Sequence, residues 1–177
     1  MNSVHIRRAR RADCAGILAI YNDAVLKTTG TYDEEPRSLD HRLAWFDAHE
    51  RDDLAVFVAE EAGAGPDAAR IVGWSALNRY HDRPGYRFTA ENSVYVAEHR
   101  RGTGLGSRLL APLLPAAEAR GLHAVLAVID ASNPASLRLH ERHGFETVGH
   151  LREVGFKFGR WLDVVLMEWR AGHRPTG

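Results

Sequence analysis

The apolar positions of the chain repeat with two different periods, and the period changes several times along it. Runs in which every second residue or nearly every residue is apolar predict β-strands; they cover 4–8, 54–62, 70–80, 91–97, 123–131, 145–155 (ending in a turn) and 160–170. Runs with apolar residues three and four positions apart predict α-helices; they cover 13–28, 38–52, 102–121 and 133–144. This order predicts a mixed α/β (α+β) fold in a single domain, 1–177, with its core at about 4–170.

Local features refine these elements. Asp13 is a candidate N-cap of the first helix, a position that favours aspartate. Pro112 and Pro115 lie inside the third helical run and predict a bend or a break, because proline removes a backbone donor. The nearly continuous apolar run 123–131 predicts a strand buried on both faces. Residues 63–69 predict the turn of an antiparallel hairpin.

The composition is that of an ordinary globular protein. Lys plus Arg and Asp plus Glu are both 23, so the net charge is zero, which argues against a nucleic-acid or anionic-membrane partner. No run approaches the ~20 apolar residues that span a bilayer, and residues 1–13 lack an apolar signal segment. The single cysteine, Cys14, allows no intrachain disulfide and no cysteine-based metal site, so we expect no metal and a cytoplasmic location. Residues 173–177 predict a frayed tail.

Glycines at a spacing of two follow the fourth strand, in ENSVYVAEHRRGTGLGS (91–107). Glycine lets a backbone turn sharply, and a helix that follows aims successive N–H groups outward. The basic pair Arg100 and Arg101 precedes the glycines, so the segment predicts a phosphate-binding loop rather than a plain helix-capping turn. It is not a Walker A loop, since no Gly-Lys-Ser/Thr follows. It is also not a dinucleotide fingerprint, since the glycine spacing is different.

This loop and later segments resemble the GCN5-related N-acetyltransferase (GNAT) superfamily. RGTGLG (101–106) is similar to the acetyl-CoA diphosphate loop of that superfamily, and NPASLRLHERHGF (133–145) to its second signature. Together with ENSVYV and GFKFGRWLDVVLME, they resemble the phosphinothricin and methionine sulfoximine/sulfone N-acetyltransferase branch over roughly residues 6–169. The resemblance implies the GNAT fold, a central mixed, mostly antiparallel sheet flanked by helices, with a splayed V between the two central strands.

The resemblance also implies acetyl-CoA as the acetyl donor. Backbone groups of Val94, Tyr95 and Val96 would pair with the pantetheine arm, as an added strand does. A backbone N–H would polarise the thioester carbonyl. The other residues implied at the cofactor are Arg101, Gly102, Thr103, Gly104, Leu105, Gly106, Ser107, Asn133 and Ser136.

Acetyl transfer to an amine needs a base for the ammonium, donors for the tetrahedral oxyanion and a proton for the leaving thiolate. The resemblance implies Glu91 as general base, directly or through water; the alternative is a surface carboxylate at a strand start. It implies His140 as a second catalytic residue, either base or acid, the alternative being a helix histidine packed on the sheet. The sequence leaves open which residue takes which role. Tyr95 is either a further donor or a packing residue.

Acceptors of the resembled branch are zwitterionic amino acids with a polar, tetrahedral or anionic side-chain tip, which arginine suits. The resemblance implies acceptor-binding residues Arg79, Tyr80, His81, Arg87, Glu91, Asn92 and Ser93. The segment 79–91 is longer than the branch pattern, and Asn78 stands where an aromatic residue is usual. A solvated loop is the alternative for Arg83 and Arg87.

A late block, GFKFGRWLD (155–163), is placed by the resemblance near the acceptor pocket and the subunit contact. Trp161 would be a wall of that pocket or a core anchor. The expected function is transfer of acetyl from acetyl-CoA to the primary amine of a small amino acid or analogue, of the phosphinothricin or methionine sulfoximine/sulfone type, as in herbicide or antibiotic resistance. The alternatives are another small amine or antibiotic, a peptide, or a non-catalytic acyl-CoA-binding protein. The resemblance implies a homodimer.

Overall fold

The computed structural model describes residues 3–63 and 69–172. The helices are α1 (Cys14–Lys27), α2 (Leu39–Asp52), α3 (Leu105–Leu110), α4 (Leu113–Ala119) and α5 (Pro134–Arg142). The strands are β1 (Val4–Arg8), β2 (Val56–Glu61), β3 (Arg70–Arg79), β4 (Thr89–Val96), β5 (Ala124–Asp130), β6 (Glu146–Lys157) and β7 (Arg160–Arg170). Each element lies within or close to the run that predicted it. The predicted turn at 63–69 lies mostly outside the described residues, and the predicted tail at 173–177 lies wholly outside them.

Within the described residues the strands form one seven-stranded sheet in the order β1-β2-β3-β4-β5-β7-β6. Neighbouring strands run antiparallel, except that β4 and β5 run parallel in the middle of the sheet. The sheet is therefore mixed and mostly antiparallel, as predicted. The parallel junction joins an N-terminal half of the sheet, β1 to β4, to a C-terminal half, β5 to β7.

Helices cover both faces of the sheet. Helices α1 and α2 pack on one face, in a cluster that includes Ile17, Phe46, Val58 and Trp74. Helices α3 and α4 pack on the other, in clusters that include Leu77, Ala90, Leu109, Leu110, Leu113 and Val125. The break predicted in the third helical run is confirmed, since α3 ends at Leu110 and α4 begins at Leu113, on either side of Pro112. None of the helices in the described ranges is long and apolar enough to cross a membrane.

Three local predictions were wrong. Strand β5 is not buried on both faces, since Val128 is 47% exposed where β5 borders a cleft. The carboxylate of Asp13 does not cap α1; instead it accepts from the Arg10 N–H and pairs with the Arg7 guanidinium. The turn predicted at the end of 145–155 comes later: β6 continues to Lys157, and Phe158 and Gly159 form the turn with positive φ angles of 52° and 72°.

Candidate active site

The two central strands separate halfway along their length. Strands β4 and β5 pair only from Thr89 with Ala124 to Glu91 with Leu126. Both strands continue beyond this point, β4 to Val96 and β5 to Asp130, with no further ladder pair between them in the described structure. The β5-facing backbone groups of β4 are therefore left for another extended chain to pair with.

The separation opens a cleft of about 950 Å³. Most of its lining residues come from five segments: Thr28–Tyr32 between α1 and α2, Glu91–Val96, the segment from Arg100 to Ser107 apart from Thr103, Ala127–Asp130, and α5 with Ser132 and Asn133 before it. A second concavity, of about 380 Å³, lies beside Asp13 and Glu60. Both of those carboxylates are held by the Arg7 guanidinium, so they already have a partner within the chain. The larger cleft is therefore the candidate site.

The segment Arg101–Ser107, called here the glycine loop, takes its shape from two glycines. Gly102 and Gly104 have φ angles of +76° and +80°, a region that costs any other L-residue strain. The first backbone bond into α3 runs from the Arg108 N–H to the Gly104 carbonyl. The amides of Leu105 to Ser107 therefore precede the helical ladder and lack partners within it.

Positive charge gathers around the glycine loop. Arg100, Arg101, Arg138 and Arg142 all line the cleft. Arg100 pairs with Glu61, and the Nε of Arg101 donates to the Val96 carbonyl at 3.2 Å. Arg138 and Arg142 form no ion pair with another described residue. This end of the cleft therefore combines backbone donors with guanidinium groups, which suits a phosphorylated ligand.

Glu91 lies at the point where β4 and β5 part. Its carboxylate is half-buried, and burial raises the pKa of the Glu91 carboxyl above its ordinary value. The side chain forms no hydrogen bond within the described ranges, whereas its backbone carbonyl accepts from the Asn78 amide. A carboxylate with a raised pKa, no partner and access to a cleft is the form that a general base takes.

Side chains of β4 alternate between the two faces of the sheet, which separates Glu91 from His140. Glu91, Ser93 and Tyr95 share the face that α1 and α2 cover, and the Tyr95 hydroxyl donates to the Gly30 carbonyl on that side. Asn92 points to the opposite face, where its amide lies 2.9 Å from the Nε2 of His140 on α5. A ligand group that reaches the Glu91 carboxylate therefore approaches from the Thr28–Tyr32 side, and His140 lies on the opposite face of β4.

Both ring nitrogens of His140 have partners within the chain. Its Nδ1 lies 2.8 Å from the Ser136 carbonyl, which can only accept, so Nδ1 carries the hydrogen. His140 is 4% exposed, and burial lowers its pKa, so the ring is neutral and Nε2 accepts from the Asn92 amide. That orientation leaves Asn92 Oδ1 buried and unpaired within the described structure. In this arrangement His140 has neither a free lone pair nor a second proton to give.

The loop Thr28–Tyr32 is held from several directions. The buried Lys157 ammonium donates to the carbonyls of Thr28 and Thr31 at 2.9 and 2.7 Å. The Tyr32 ring packs on β6 at Gly155, where a Cβ would lie 2.3 Å from a ring carbon. The Tyr95 hydroxyl donates to Gly30. The loop is therefore a fixed wall of the cleft.

Comparison with known proteins agrees with this geometry. Residues 17–145 match the model of the acetyltransferase (GNAT) family. The chain belongs to the GNAT family. It is 46% identical over 166 residues to the L-methionine sulfoximine/L-methionine sulfone acetyltransferase of Pseudomonas paraeruginosa, with 94% of each chain covered. It is 38% identical over 166 residues to the phosphinothricin N-acetyltransferase of Streptomyces coelicolor, with 93% of this chain and 95% of that relative covered.

A solved structure shares the fold over nearly the whole chain. The GNAT superfamily phosphinothricin acetyltransferase of Sinorhizobium meliloti, in complex with acetyl-CoA, matches with a TM-score of 0.87 at 32% identity, and 98% of this chain and 93% of that chain are covered. The family and the GNAT fold predicted from the sequence are thus confirmed. The splayed β4–β5 junction is the structural feature that the resemblance to this family implied.

The GNAT structure brings most of the predicted site residues to the cleft. Those that line it are Glu91, Asn92, Ser93, Val94, Tyr95, Val96, Arg101, Gly102, Gly104, Leu105, Gly106, Ser107, Asn133, Ser136 and His140. Thr103 does not line it, because its hydroxyl turns back to donate to the Arg100 carbonyl at 2.7 Å. The Asn133 side chain caps α5 by accepting from the Ser136 N–H.

Four predicted acceptor residues lie outside the lining of the cleft: Arg79, Tyr80, His81 and Arg87. Arg79 pairs with Asp52 on α2 at 2.8 Å. The rings of Tyr80, His81 and Tyr86 pack on one another with centroids 4.9 to 5.4 Å apart. Arg87 donates to the Pro84 carbonyl and lies over the Phe88 ring.

Trp161 is neither a core anchor nor part of the cleft lining, since it is 63% exposed and packs edge-on against Phe156. Sequence reasoning also missed part of the cleft wall, chiefly Thr28–Tyr32 and Asp130. The one sequence signal for the loop was its position after a helix, and its glycine and threonines form no motif. Asp130 could have been noticed as the acidic residue that ends the nearly continuous apolar run 123–131.

Proposed function

We propose that this GNAT protein transfers the acetyl group of acetyl-CoA to the primary amine of a small amino acid or amino-acid analogue, of the methionine sulfoximine, methionine sulfone or phosphinothricin type. The observation that carries the proposal is the parting of β4 and β5 at Glu91, which places a half-buried carboxylate at the fork of a cleft whose far end is basic. The names of the related enzymes supply the acceptor class.

The acetyl donor is acetyl-CoA, and its parts match the cleft. The unpaired edge of β4 from Asn92 to Val96 suits the amides of the pantetheine arm, which pair as an added strand would. The amides and arginines around the glycine loop suit the diphosphate. A thioester attached to an arm that enters from the glycine loop would lie near Glu91, the last paired residue of β4.

Glu91 acts as the general base. It removes one proton from the acceptor ammonium, directly or through water, because only the neutral amine can attack a carbonyl carbon. Attack forms the new C–N bond and a tetrahedral oxyanion, and collapse breaks the C–S bond. The second amine proton leaves during collapse, and the thiolate of coenzyme A takes it up. Backbone N–H groups at the parted strands stabilise the oxyanion.

His140 acts as a positioning residue. Its Nε2 accepts from Asn92 and its Nδ1 donates to Ser136, so the ring ties β4 to α5 across the cleft. These contacts favour Glu91 over His140 as base. Tyr95 is likewise a packing residue, since its ring stacks on Trp74 at 4.8 Å and its hydroxyl holds Gly30.

The protein acts as a homodimer. The hairpin of β6 and β7 carries large apolar side chains that are each at least 43% exposed: Val148, Leu151, Val154, Phe156, Phe158 and Trp161. A patch of this kind suggests a protein interface, and a second copy is the partner that the family resemblance implies. Light scattering after size-exclusion chromatography tests this, because W161D should give a monomer if the patch is the interface. A monomeric wild type would exclude it.

An acetyl-CoA consumption assay tests the function. The panel holds methionine sulfoximine, methionine sulfone, phosphinothricin, unmodified amino acids, unrelated small amines and a peptide with a free N-terminus. Turnover on the sulfoximine, sulfone or phosphinothricin is the expected result. Turnover only on the peptide or on unrelated amines would replace the acceptor class, and binding of acetyl-CoA without any turnover would leave a non-catalytic acyl-CoA-binding protein. The cytoplasmic location stays a prediction.

A further inference from the structure

A hydrogen bond joins the two helices that border the basic end of the cleft. The hydroxyl of Ser107, in the first turn of α3, lies 2.7 Å from the Nε2 of His143, just after α5. Both side chains are partly buried, and Ser107 lines the cleft. Helices α3 and α5 approach closely beside this contact, because a Cβ on Gly106 would lie 3.3 Å from the Leu139 side chain. The pair therefore lies at a tightly packed junction.

The direction of this hydrogen bond decides what Ser107 presents to the cleft. A hydroxyl has one hydrogen to donate and two lone pairs. If the His143 Nε2 carries a lone pair, Ser107 donates to it and turns its oxygen lone pairs toward the cleft, where they repel an anion. If Nε2 carries a hydrogen, His143 donates to Ser107, and the serine hydrogen is free to point at a ligand.

We propose that His143 is a positioning residue for the cofactor diphosphate: its Nε2–H holds the Ser107 oxygen so that the serine hydrogen donates to a diphosphate oxygen. This inference rests on the proposed function, in which the glycine loop receives the diphosphate of acetyl-CoA. His143 itself does not line the cleft, so it acts through Ser107.

The proposal carries a proton linkage. Burial alone lowers the pKa of His143, so the ring is neutral in the free protein at neutral pH. His140 precedes it by one helical turn and stays neutral because burial lowers its pKa. Glu141 and Arg142 adjoin it on α5, and on α3 Arg108 turns away to the Val4 carbonyl. A diphosphate anion beside Ser107 favours the protonated ring, so binding should take up part of a proton, and more of it as the pH falls toward the pKa of the ring.

Titration calorimetry tests this with acetyl-CoA and with its 3′-dephospho analogue. The analogue lacks the phosphate monoester, whose own second ionisation near pH ~6 would otherwise contribute to proton uptake. Each ligand is titrated at pH 6 to 8 in two buffers that differ in ionisation enthalpy. The variants are S107A, H143M, H143Q and S107A/H143M, with H123M, an exposed histidine outside the cleft lining, as the matched control.

We expect S107A and H143M each to weaken binding of either ligand about tenfold, the size of one hydrogen bond to a charged group. The double variant should bind no more weakly than either single variant. H143Q should recover most of the affinity, because its amide can donate from a similar position, but it should show no linked proton uptake. H123M should match the wild type in affinity and in proton uptake.

The outcomes separate this inference from the proposed function. If wild-type protein binds neither ligand, the proposed function fails and this inference with it. If wild type binds and H143M binds equally well, only the role of His143 is overturned. If H143Q is as weak as H143M, and the losses of S107A and H143M add up in the double variant, the histidine matters for packing and not through the hydrogen bond, which overturns the proposal as well.

Discussion

Two loops border the cleft, and they are built in opposite ways. The glycine loop takes its shape from its own residues, since Gly102 and Gly104 set the backbone and Thr103 closes the turn on Arg100. The loop Thr28–Tyr32 is shaped from outside, by Lys157 on β6 and Tyr95 on β4. A locally determined loop keeps its ligand geometry when the surroundings change. A loop tied from outside can change its specificity when a distant residue changes.

If the glycine loop is shaped by its own residues, a substitution elsewhere in the cleft should impair the reaction without weakening the binding of acetyl-CoA. A substitution at Glu91 should show this most strongly. Replacing Glu91 with Gln removes the base and leaves the backbone of β4 intact. We expect kcat to fall about 10²- to 10³-fold, within the range for a lost general base. The dissociation constant of acetyl-CoA should change less than about twofold, because the glycine loop is untouched. Steady-state kinetics and calorimetry measure the two quantities separately.

The pH dependence of the wild type and of E91Q provides the control. Burial raises the pKa of Glu91, and the base must be ionised. The kcat/KM of the wild type should therefore fall as the pH drops through that raised pKa, at a higher pH than an ordinary carboxyl would give. E91Q should lack this acid limb. An unchanged rate and profile in E91Q would remove Glu91 from its role.

Substitutions of His140 test whether this residue positions Asn92 or transfers a proton at the point where β4 and β5 part. H140Q keeps an acceptor for the Asn92 amide, whereas H140F removes it. We expect H140F to lower kcat about tenfold, through an unsatisfied buried amide, and H140Q to recover most of it. The acid limb should stay where it is in both variants. A loss as large as that of E91Q, or a shifted limb in H140Q, would make His140 a proton-transfer residue.

Sequence predicted the glycine-loop end of the cleft well because its information is contiguous. The glycines, the preceding strand and the arginines all lie within 91–107, and the next motif, from Asn133, sits at the start of one helix. The order and type of the helices and strands followed for the same reason, since each period is local. The parting of β4 from β5 was predicted only through the family resemblance, because no local sequence pattern encodes where the hydrogen-bonded pairing of two strands ends.

The rest could not be predicted because it depends on contacts between distant residues. Arg79 and Arg87 suited an anionic acceptor by chemistry, yet Arg79 is paired with Asp52, 27 positions away. The partner that occupies the Nε2 of His140 is Asn92, 48 positions away. Lys157 belonged to a recognisable block, but its role as the support of Thr28–Tyr32 needed the folded chain. The acceptor roles of Arg79 and Arg87, and the single domain, stay predictions.

Gly104 tests whether the glycine loop is as self-contained as this comparison requires. G104A forces an alanine into a left-handed conformation at a strain of about 1–2 kcal/mol. We expect weaker acetyl-CoA binding, by about five- to tenfold, as the loop relaxes away from that conformation. Gly121 is the matched control, since it has a φ of +74°, equal open space around it and no place in the cleft lining. G121A should lose similar stability and keep its affinity; equal affinity in G104A would contradict the loop's role.

A substitution of Lys157 tests the loop Thr28–Tyr32. Its effect on the reaction should be smaller than the effects of the substitutions at Glu91, His140 and Gly104. K157M leaves the carbonyls of Thr28 and Thr31 without their donor, which should cost about 1–3 kcal/mol of folding stability by thermal unfolding. With the wall loosened, KM for the amino-acid acceptor should rise about three- to fivefold, while acetyl-CoA binds as before. The chain holds one other lysine, Lys27, which is exposed and pairs with Asp23, so K27M is the control and should change neither quantity. Weaker acetyl-CoA binding in K157M, with the acceptor KM unchanged, would mean that Thr28–Tyr32 supports the cofactor and not the acceptor.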